Sequence, residues 1–330
     1  MVSDLWFVFR VLVFPGFTFI FFFTMFCDWV ERKIEARMQN RVGPAFTGPA
    51  GILQPFADVV KLLSKEDIIP SGAKGIVFRL APIFAFSFVV FAFSFLPIDG
   101  SSVIPNSSFA GDLIFVMALI TIANFFLFLS GWASSNPYGD IGATRVLTQF
   151  LGYDIPLILL ALAPAFIAGS LTINVIAANQ YLPFALLAPW AFVLFIVTLQ
   201  AELEKDPFDI PHAESEVVGG LETEYGGGKL AFLRLTRDVQ IVFGAALVVE
   251  LFLGGPYGPV FFGLPEFWYF LWFVLKLLAV VMITEYVTCL FARLRIDQVL
   301  SANWKMLLPL SVLSLVLTVA VAAWIYPLVV

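Results

Sequence analysis

The chain has 330 residues, 61% of them hydrophobic and only 13% charged, with 38 phenylalanines and a mean hydropathy of +0.96. An ordinary globular protein carries roughly 25% charged residues, and 18 basic plus 24 acidic side chains cannot cover a water-facing surface of this size. A net charge of −6 without a dense basic tract argues against nucleic-acid binding. Cys27 and Cys289 cannot by themselves hold a cluster or a four-ligand zinc ion, and a single histidine, His212, excludes paired-histidine haem ligation within the chain. The composition predicts an all-α polytopic membrane protein, one integral membrane domain over 1–330, with lipid as its solvent and no cofactor site of its own.

A membrane-crossing helix needs about 20 largely apolar residues. Eight stretches qualify, near 7–29, 80–97, 113–133, 151–170, 184–201, 239–255, 267–291 and 306–328. The first is too long for the apolar core of a signal peptide, lacks a small-residue cleavage site and runs straight into Glu31-Arg32-Lys33, so a retained helix is predicted. Pro15 and Pro164 fall inside spans and predict kinks. Lysine and arginine crowd into alternate loops: eight in 28–79, one in 134–150, four in 202–238 and three in 292–305. The loops at 98–112, 171–183 and 256–266 carry none. Under the positive-inside rule the four charged loops are cytoplasmic and both termini lie outside the cell membrane.

In the first charged loop, Ile52, Phe56, Val59, Val60 and Leu63 recur at helical spacing around Gln54, Asp58 and Lys61. This pattern fits an amphipathic helix on the membrane surface, or one packed on the protein's own inner face. The loop 202–238 holds nine acids, among them Asp209, Glu214, Glu216 and Glu224, against four basic residues. Crowded carboxylates raise one another's pKa, so such a loop can act as a proton reservoir or relay, or else is a solvated acidic surface. Within the spans, Asp154, Glu250, Lys276 and Glu285 stand out, because an ionisable group there costs about 2.5–3.5 kcal/mol on insertion scales. Asp154 and Glu285 lie near the cytoplasmic ends of their spans and Glu250 near an outer end. Lys276 lies nearest mid-membrane, facing away from Glu285 and needing a partner on another helix. The glycines 226–228 follow no strand pattern, which argues against a phosphate-binding loop, and no catalytic constellation is present.

A set of short motifs resembles the H-type subunit family of NADH-quinone oxidoreductase, respiratory complex I. They are Glu31-Arg32-Lys33, Arg37-Met38-Gln39, Gly43-Pro44, the run Gly51 to Asp58, Lys65-Glu66, Pro207-Phe208-Asp209-Ile210-Pro211 and Ala213-Glu214-Ser215-Glu216, then Glu224-Tyr225, Phe252-Leu253-Gly254-Gly255, Asp297-Gln298 and Trp304-Lys305. The resemblance implies a hinge between a peripheral redox arm and an ion-pumping membrane arm. The chain would be non-catalytic alone, and its partners would be peripheral iron–sulfur subunits, antiporter-like membrane subunits and small membrane subunits. Iron–sulfur clusters would lie in the neighbours, and in quinone-reducing members the loops wall the quinone chamber. By the same resemblance, coupling roles fall to Glu31, Glu35, Glu66, Asp154, Asp209, Glu214, Glu216 and Glu224, joined by the intramembrane Glu250, Lys276 and Glu285. Docking or chamber-lining roles fall to Arg32, Arg37, Gln39, Gln54, Asp58, His212, Arg293, Arg295 and Asp297.

Three departures stand out. His212 occupies a position usually held by Glu in quinone-type members, Lys205 replaces an arginine, and Thr236-Arg237-Asp238 replaces an Ala-Glu-Tyr-like run. They point toward ferredoxin-linked relatives, the archaeal membrane-bound hydrogenases and sulfane sulfur reductases, which share the hinge but need no quinone. The alternatives are a quinone-chamber subunit, a stand-alone secondary transporter or a structural anchor. The pumped ion, proton or sodium, is open.

Overall fold

Helix follows the apolar sequence almost throughout, and among the described residues the only β feature is an isolated bridge between Pro97 and Ser102. The computed structural model describes residues 2–104, 107–261 and 263–329, with the side chains of 2–5, 214, 215 and 324–329 outside the description. Helix α1 (Val2–Leu12) stops short of Pro15, and α2 (Phe17–Met38) resumes beyond it. A proline has no N–H to continue the ladder, so the predicted kink is a full break here. After α2 come α3 (Gln54–Leu63), α4 (Gly75–Phe93), α5 (Asp112–Ala133) and α6 (Pro137–Ala168). The short helices α7 (Ile173–Ala178) and α8 (Phe184–Leu187) lead into α9 (Pro189–Glu202), and α10 (Glu214–Val217) precedes α11 (Gly227–Phe252). The chain closes with α12 (Pro265–Leu290), α13 (Ile296–Ala302), a π turn over Asn303–Leu307, and α14 (Leu308–Val329).

Six helical segments among the described residues are long and apolar enough to cross a membrane: Trp6–Met38, Gly75–Phe93, Asp112–Ala133, Pro137–Ala168, Pro265–Leu290 and Ile296–Ala323. The other two expected spans differ. Residues 184–201 divide into α8 and α9 at Ala188, ahead of Pro189. The 14 residues of α9 reach about 21 Å, short of the roughly 30 Å hydrocarbon layer. Residues 239–255 fall mostly in the second half of α11, which has the length of a span but carries charge at both ends.

Five of the expected loops are helix over more than a boundary residue or two: 28–79 holds the end of α2, all of α3 and the start of α4, and 171–183 holds α7. Residues 134–150 are absorbed into α6, which starts at Pro137 because the Asn136 side chain accepts the Tyr138 N–H at 2.9 Å and caps its first turn. The loop 202–238 gives its last residues to α11, and 292–305 contains α13. Charge ends a hydropathy window but not a helix, since Lys, Arg and Glu are good helix formers. The helices therefore project beyond the apolar layer. The glycines 226–228 serve this projection: Gly227 has φ +57°, and a Cβ there would come within 2.7 Å of the Glu66 carbonyl oxygen.

α11 is the axis of the molecule. It packs against α2, α3, α4, α6, α7, α8, α9 and α12, while α4 with α5, α5 with α6, α6 with α9 and α2 with α12 form the surrounding wall. From Val239 to Phe252 every residue of α11 but Ile241 is buried. In lipid there is no hydrophobic drive between helices, so close van der Waals fit must hold them. Phe252 meets Phe195 with ring centroids 5.4 Å apart, and Leu199 packs directly on Gly244. The outer wall faces lipid instead. Phe22, Ile76, Leu186, Leu313 and Val316 are all exposed, a surface that would aggregate in water.

The helix over 52–63 packs on α2 and α11, but not by the stripe expected from sequence. Pro55, Val59 and Leu62 face the protein, while Phe56, Val60 and Leu63 stay exposed. α3 thus docks by one edge and leaves its other apolar edge exposed.

Candidate functional site

The charged segments gather at one end of the bundle, around a lysine that the sequence had shown only as a departure. Glu204 turns the chain after α9 with a left-handed φ of +50°. Lys205 then donates to Glu31 Oε2 of α2 at 2.7 Å and to Glu285 Oε2 of α12 at 3.0 Å. The three side chains are 11%, 12% and 7% exposed. Burial alone would lower the Lys205 pKa; the two carboxylates outweigh it and hold the ammonium above its ordinary value. The group is a buried ionic triad with one positive and two negative members. Removing one partner of such a buried pair typically costs about 3–5 kcal/mol.

Beside it, His212 Nε2 lies 2.7 Å from Glu204 Oε2, and Arg237 Nη2 lies 2.8 Å from the same imidazole nitrogen and 2.7 Å from Glu222 Oε1. Burial pushes Glu222 upward, but Arg237, His212 and Arg234 overcome it and its pKa is lowered. Asp209 pairs with Arg293; burial still holds its pKa above the usual value, against His212 and Arg293. Asp206 is raised by burial as well. The expected crowding of like charges is therefore a secondary effect, behind burial, at Asp206 and Asp209. Four of the loop acids, Glu204, Asp209, Glu216 and Glu222, pair with His212, Arg293, Arg145 and Arg237, and burial is what raises Asp206 and Asp209.

The other expected docking and coupling residues spread over the same face. Arg32 bridges Asp28 at 2.8 Å and Asp58 at 2.6 Å, and Gln54 donates to Asp58 at 3.0 Å. Glu35 accepts from Arg41 at 2.9 Å and Gln39 at 3.0 Å. Glu216 pairs with Arg145 at 2.6 Å, and Glu224 accepts from Asn136. Arg37 and Glu66 are exposed, and the Arg295–Asp297 pair, 3.5 Å apart, is 77% exposed on both sides. The side chain of Glu214 lies outside the described residues.

Within the helices, Asp154 accepts from Thr121 at 3.1 Å. It sits near the middle of α6, not near its end, because the helix begins at residue 137. Lys276 and Glu285 do point to different partners, as their spacing requires. Lys276, however, finds no side-chain hydrogen-bond partner on another helix among the described residues. It donates to the backbone carbonyls of Gly255 and Tyr257, at 2.9 and 2.8 Å, in the segment after α11.

Several residues outside the sequence expectation belong to the polar interior. Besides Lys205, Glu204, Arg237 and Glu222, these include Lys229 paired with Asp67. Deeper in, Gln240 donates to Asn124 at 2.7 Å and Asn124 to the Tyr153 hydroxyl at 3.2 Å. Their signal in the sequence was only polarity inside or beside an apolar run. Among the described residues no three His, Cys, Asp or Glu groups are arranged to hold a metal ion.

Residues 11–319 match the NADH dehydrogenase family. The chain is 38% identical over 316 residues to the H-type subunit of NADH-quinone oxidoreductase from Dehalococcoides mccartyi (strain CBDB1), covering 96% of this chain and 87% of that protein. It is 40% identical over 301 residues to the corresponding subunit from Geobacillus kaustophilus, covering 90% and 88%. A third relative, the same subunit from Carboxydothermus hydrogenoformans, is 35% identical over 322 residues, covering 96% and 90%. A lipid-facing helical bundle with one charged end, built from the very motifs that suggested the resemblance, therefore belongs to the H-type subunit family of NADH-quinone oxidoreductase as a complex-I-like membrane component of a multisubunit assembly.

Proposed function

We propose that this chain is the membrane-arm hinge of a redox-driven ion-translocating complex in the cell membrane, with its charged face toward the cytoplasm. Peripheral iron–sulfur subunits dock on that face, antiporter-like and small membrane subunits lie alongside in the bilayer, and the chain itself carries no redox centre. The observation that supports this most is the Glu31–Lys205–Glu285 triad, in which one loop cation is shared by carboxylates of two helices. A charge appearing at about 4 Å is worth about 4 kcal/mol at an effective dielectric of 20. A redox event beside the 202–213 loop can therefore shift Lys205 between Glu31 and Glu285 and be felt by α2 and α12.

Glu285→Gln tests this, because it leaves the Glu31–Lys205 pair intact while changing the triad's charge. The purified complex in liposomes should assemble and turn over, but translocate fewer ions per electron. An unchanged ratio at unchanged turnover would refute the coupling role.

A second reading concerns the electron acceptor. The named relatives are quinone oxidoreductase subunits, which supports a quinone chamber at this face. His212, tied to Glu204 and Arg237, stands in a position usually held by Glu in quinone-type members and supports the ferredoxin-linked branch. Supplying the purified complex with NADH plus a soluble quinone, or with reduced ferredoxin, separates the two.

A further inference from the structure

The far end of α11 holds an acid in a different condition from those of the charged face. Glu250 is fully buried, at 0% exposure, and neither of its carboxyl oxygens has a hydrogen-bond donor among the described residues. Its backbone is held: Gln180 donates to the carbonyls of Glu250 and Leu251 at 2.9 and 3.1 Å. The side chain lies against Gly255, where a Cβ would stand 2.3 Å from Glu250 Oε2 and 2.8 Å from the Ala177 side chain. Gly255 also has φ +51°, so both its conformation and the space beside it require glycine. The carbonyl of this same residue accepts from the Lys276 ammonium. Acid and cation are thus separated by a single backbone residue, with the cation bound to carbonyls instead of to the acid.

The other groups around Glu250 are few. α12 brings Lys276, and the segment after α11 brings Tyr257, whose ring meets Tyr269 of α12 at 5.3 Å. α7 and α8 contain no ionisable residue, and the one in α9, Glu202, is at that helix's opposite end. An ionised carboxylate with no donor in such a place costs several kcal/mol; a neutral carboxyl does not. Ionisation would leave Lys276 as the one nearby cation able to answer it, and it could do so only by releasing Gly255 and Tyr257.

We propose that Glu250 is a proton-binding site at the end of α11 opposite the charged face. It exchanges its proton with water on that side through the Gly254–Tyr257 segment, with Lys276 as the displaceable counter-cation. In the protonated state Lys276 fastens the segment. When the proton leaves to water, the carboxylate draws the ammonium away from the two carbonyls and the segment loosens. The site extends the proposed coupling to the far side of the bundle, and rests on that proposal only for its role in translocation.

The test is infrared spectroscopy of the purified complex in liposomes, titrated over pH in H2O and D2O, comparing the wild type with Glu250→Gln and Lys276→Met. The wild type should show a protonated-carboxyl band that shifts in D2O, fades as pH rises and is missing in E250Q. In K276M the same band should persist about one pH unit or more higher, because the cation favouring ionisation is gone. If E250Q does not assemble, the K276M shift decides alone. Identical wild-type and E250Q spectra, or no upward move in K276M, would overturn the site. Fading of the band on adding sodium at constant pH, with choline as control, would overturn the assignment of a proton as the bound ion. Because the readout is the carboxyl itself, it holds or fails independently of Glu285→Gln and its effect on pumping.

Discussion

The Lys205 and Glu250 sites, at opposite ends of the bundle, treat buried charge in opposite ways. At the charged face Lys205 is grasped by Glu31 and Glu285, and Glu222 by Arg237 and Arg234, so these ions meet their counterparts directly. At the far end Glu250 accepts from nothing among the described residues, and Lys276 spends its donors on backbone carbonyls. The first arrangement fixes elements to one another. The second leaves acid and base close but unjoined, a state that one proton can change. Burial by itself therefore does not say whether a charge is structural; the partner does.

The largest effect should come from Lys205→Met, which leaves Glu31 and Glu285 facing each other with no cation. A loss of about 3–5 kcal/mol is expected, read as a lowered melting temperature of the complex or failure to recover it. The triple variant Glu31→Gln, Lys205→Met, Glu285→Gln should recover most of that stability, since the charges disappear together. Recovery absent from the triple variant would mean that Lys205 acts by packing and not by charge.

Gly255→Ala should cost less, about 1–3 kcal/mol, because the methyl group displaces the Glu250 carboxyl. In a Glu250→Ala background part of this cost should vanish, the φ strain remaining. A strictly additive double-mutant cycle in thermal melts would show that the two residues do not press on each other.

Acid should separate the two ends further. The folded pKa of Glu222 is lowered, so its contribution is complete above the ordinary glutamate value of about 4.3 and is lost as pH falls through the folded value. Hydrogen exchange at residues 220–226 should speed up in that range, and Glu222→Gln should abolish the acid step. The smallest effect belongs to Arg295→Ala. Its pair with Asp297 is exposed, and a change within about 0.5 kcal/mol is expected, while weaker retention of peripheral subunits in high salt would mark it as a docking contact.

Much of the fold was open to reading because apolar windows are bounded by charge. α5, α12 and α14 begin and end within two residues of their predicted limits. The same criterion failed at α2, α6 and α11, whose helices run on through Glu31, Arg145 and Arg237. It failed also at α9, where Pro189 breaks a continuous apolar run. Motifs found the charged face but not its wiring. Lys205 lies 174 residues from Glu31 and 80 from Glu285, and no local pattern links them. The expectation that carboxylates would crowd one another counted acids in the 202–238 loop alone. It missed the cations that Arg145 of α6 and Arg293 after α12 bring to them.

The polar axis also bears on how the protein is made. With Lys229, Arg234, Arg237, Asp238 and Glu250, α11 is poorly suited to enter lipid on its own. Seven of its neighbours, α2, α3, α4, α6, α7, α8 and α9, precede it in the chain, and α12 follows. By the time the ribosome reaches residue 227, a sheath for this segment has already been synthesised. Insertion can then proceed into protein instead of hydrocarbon, with α12 closing the last side.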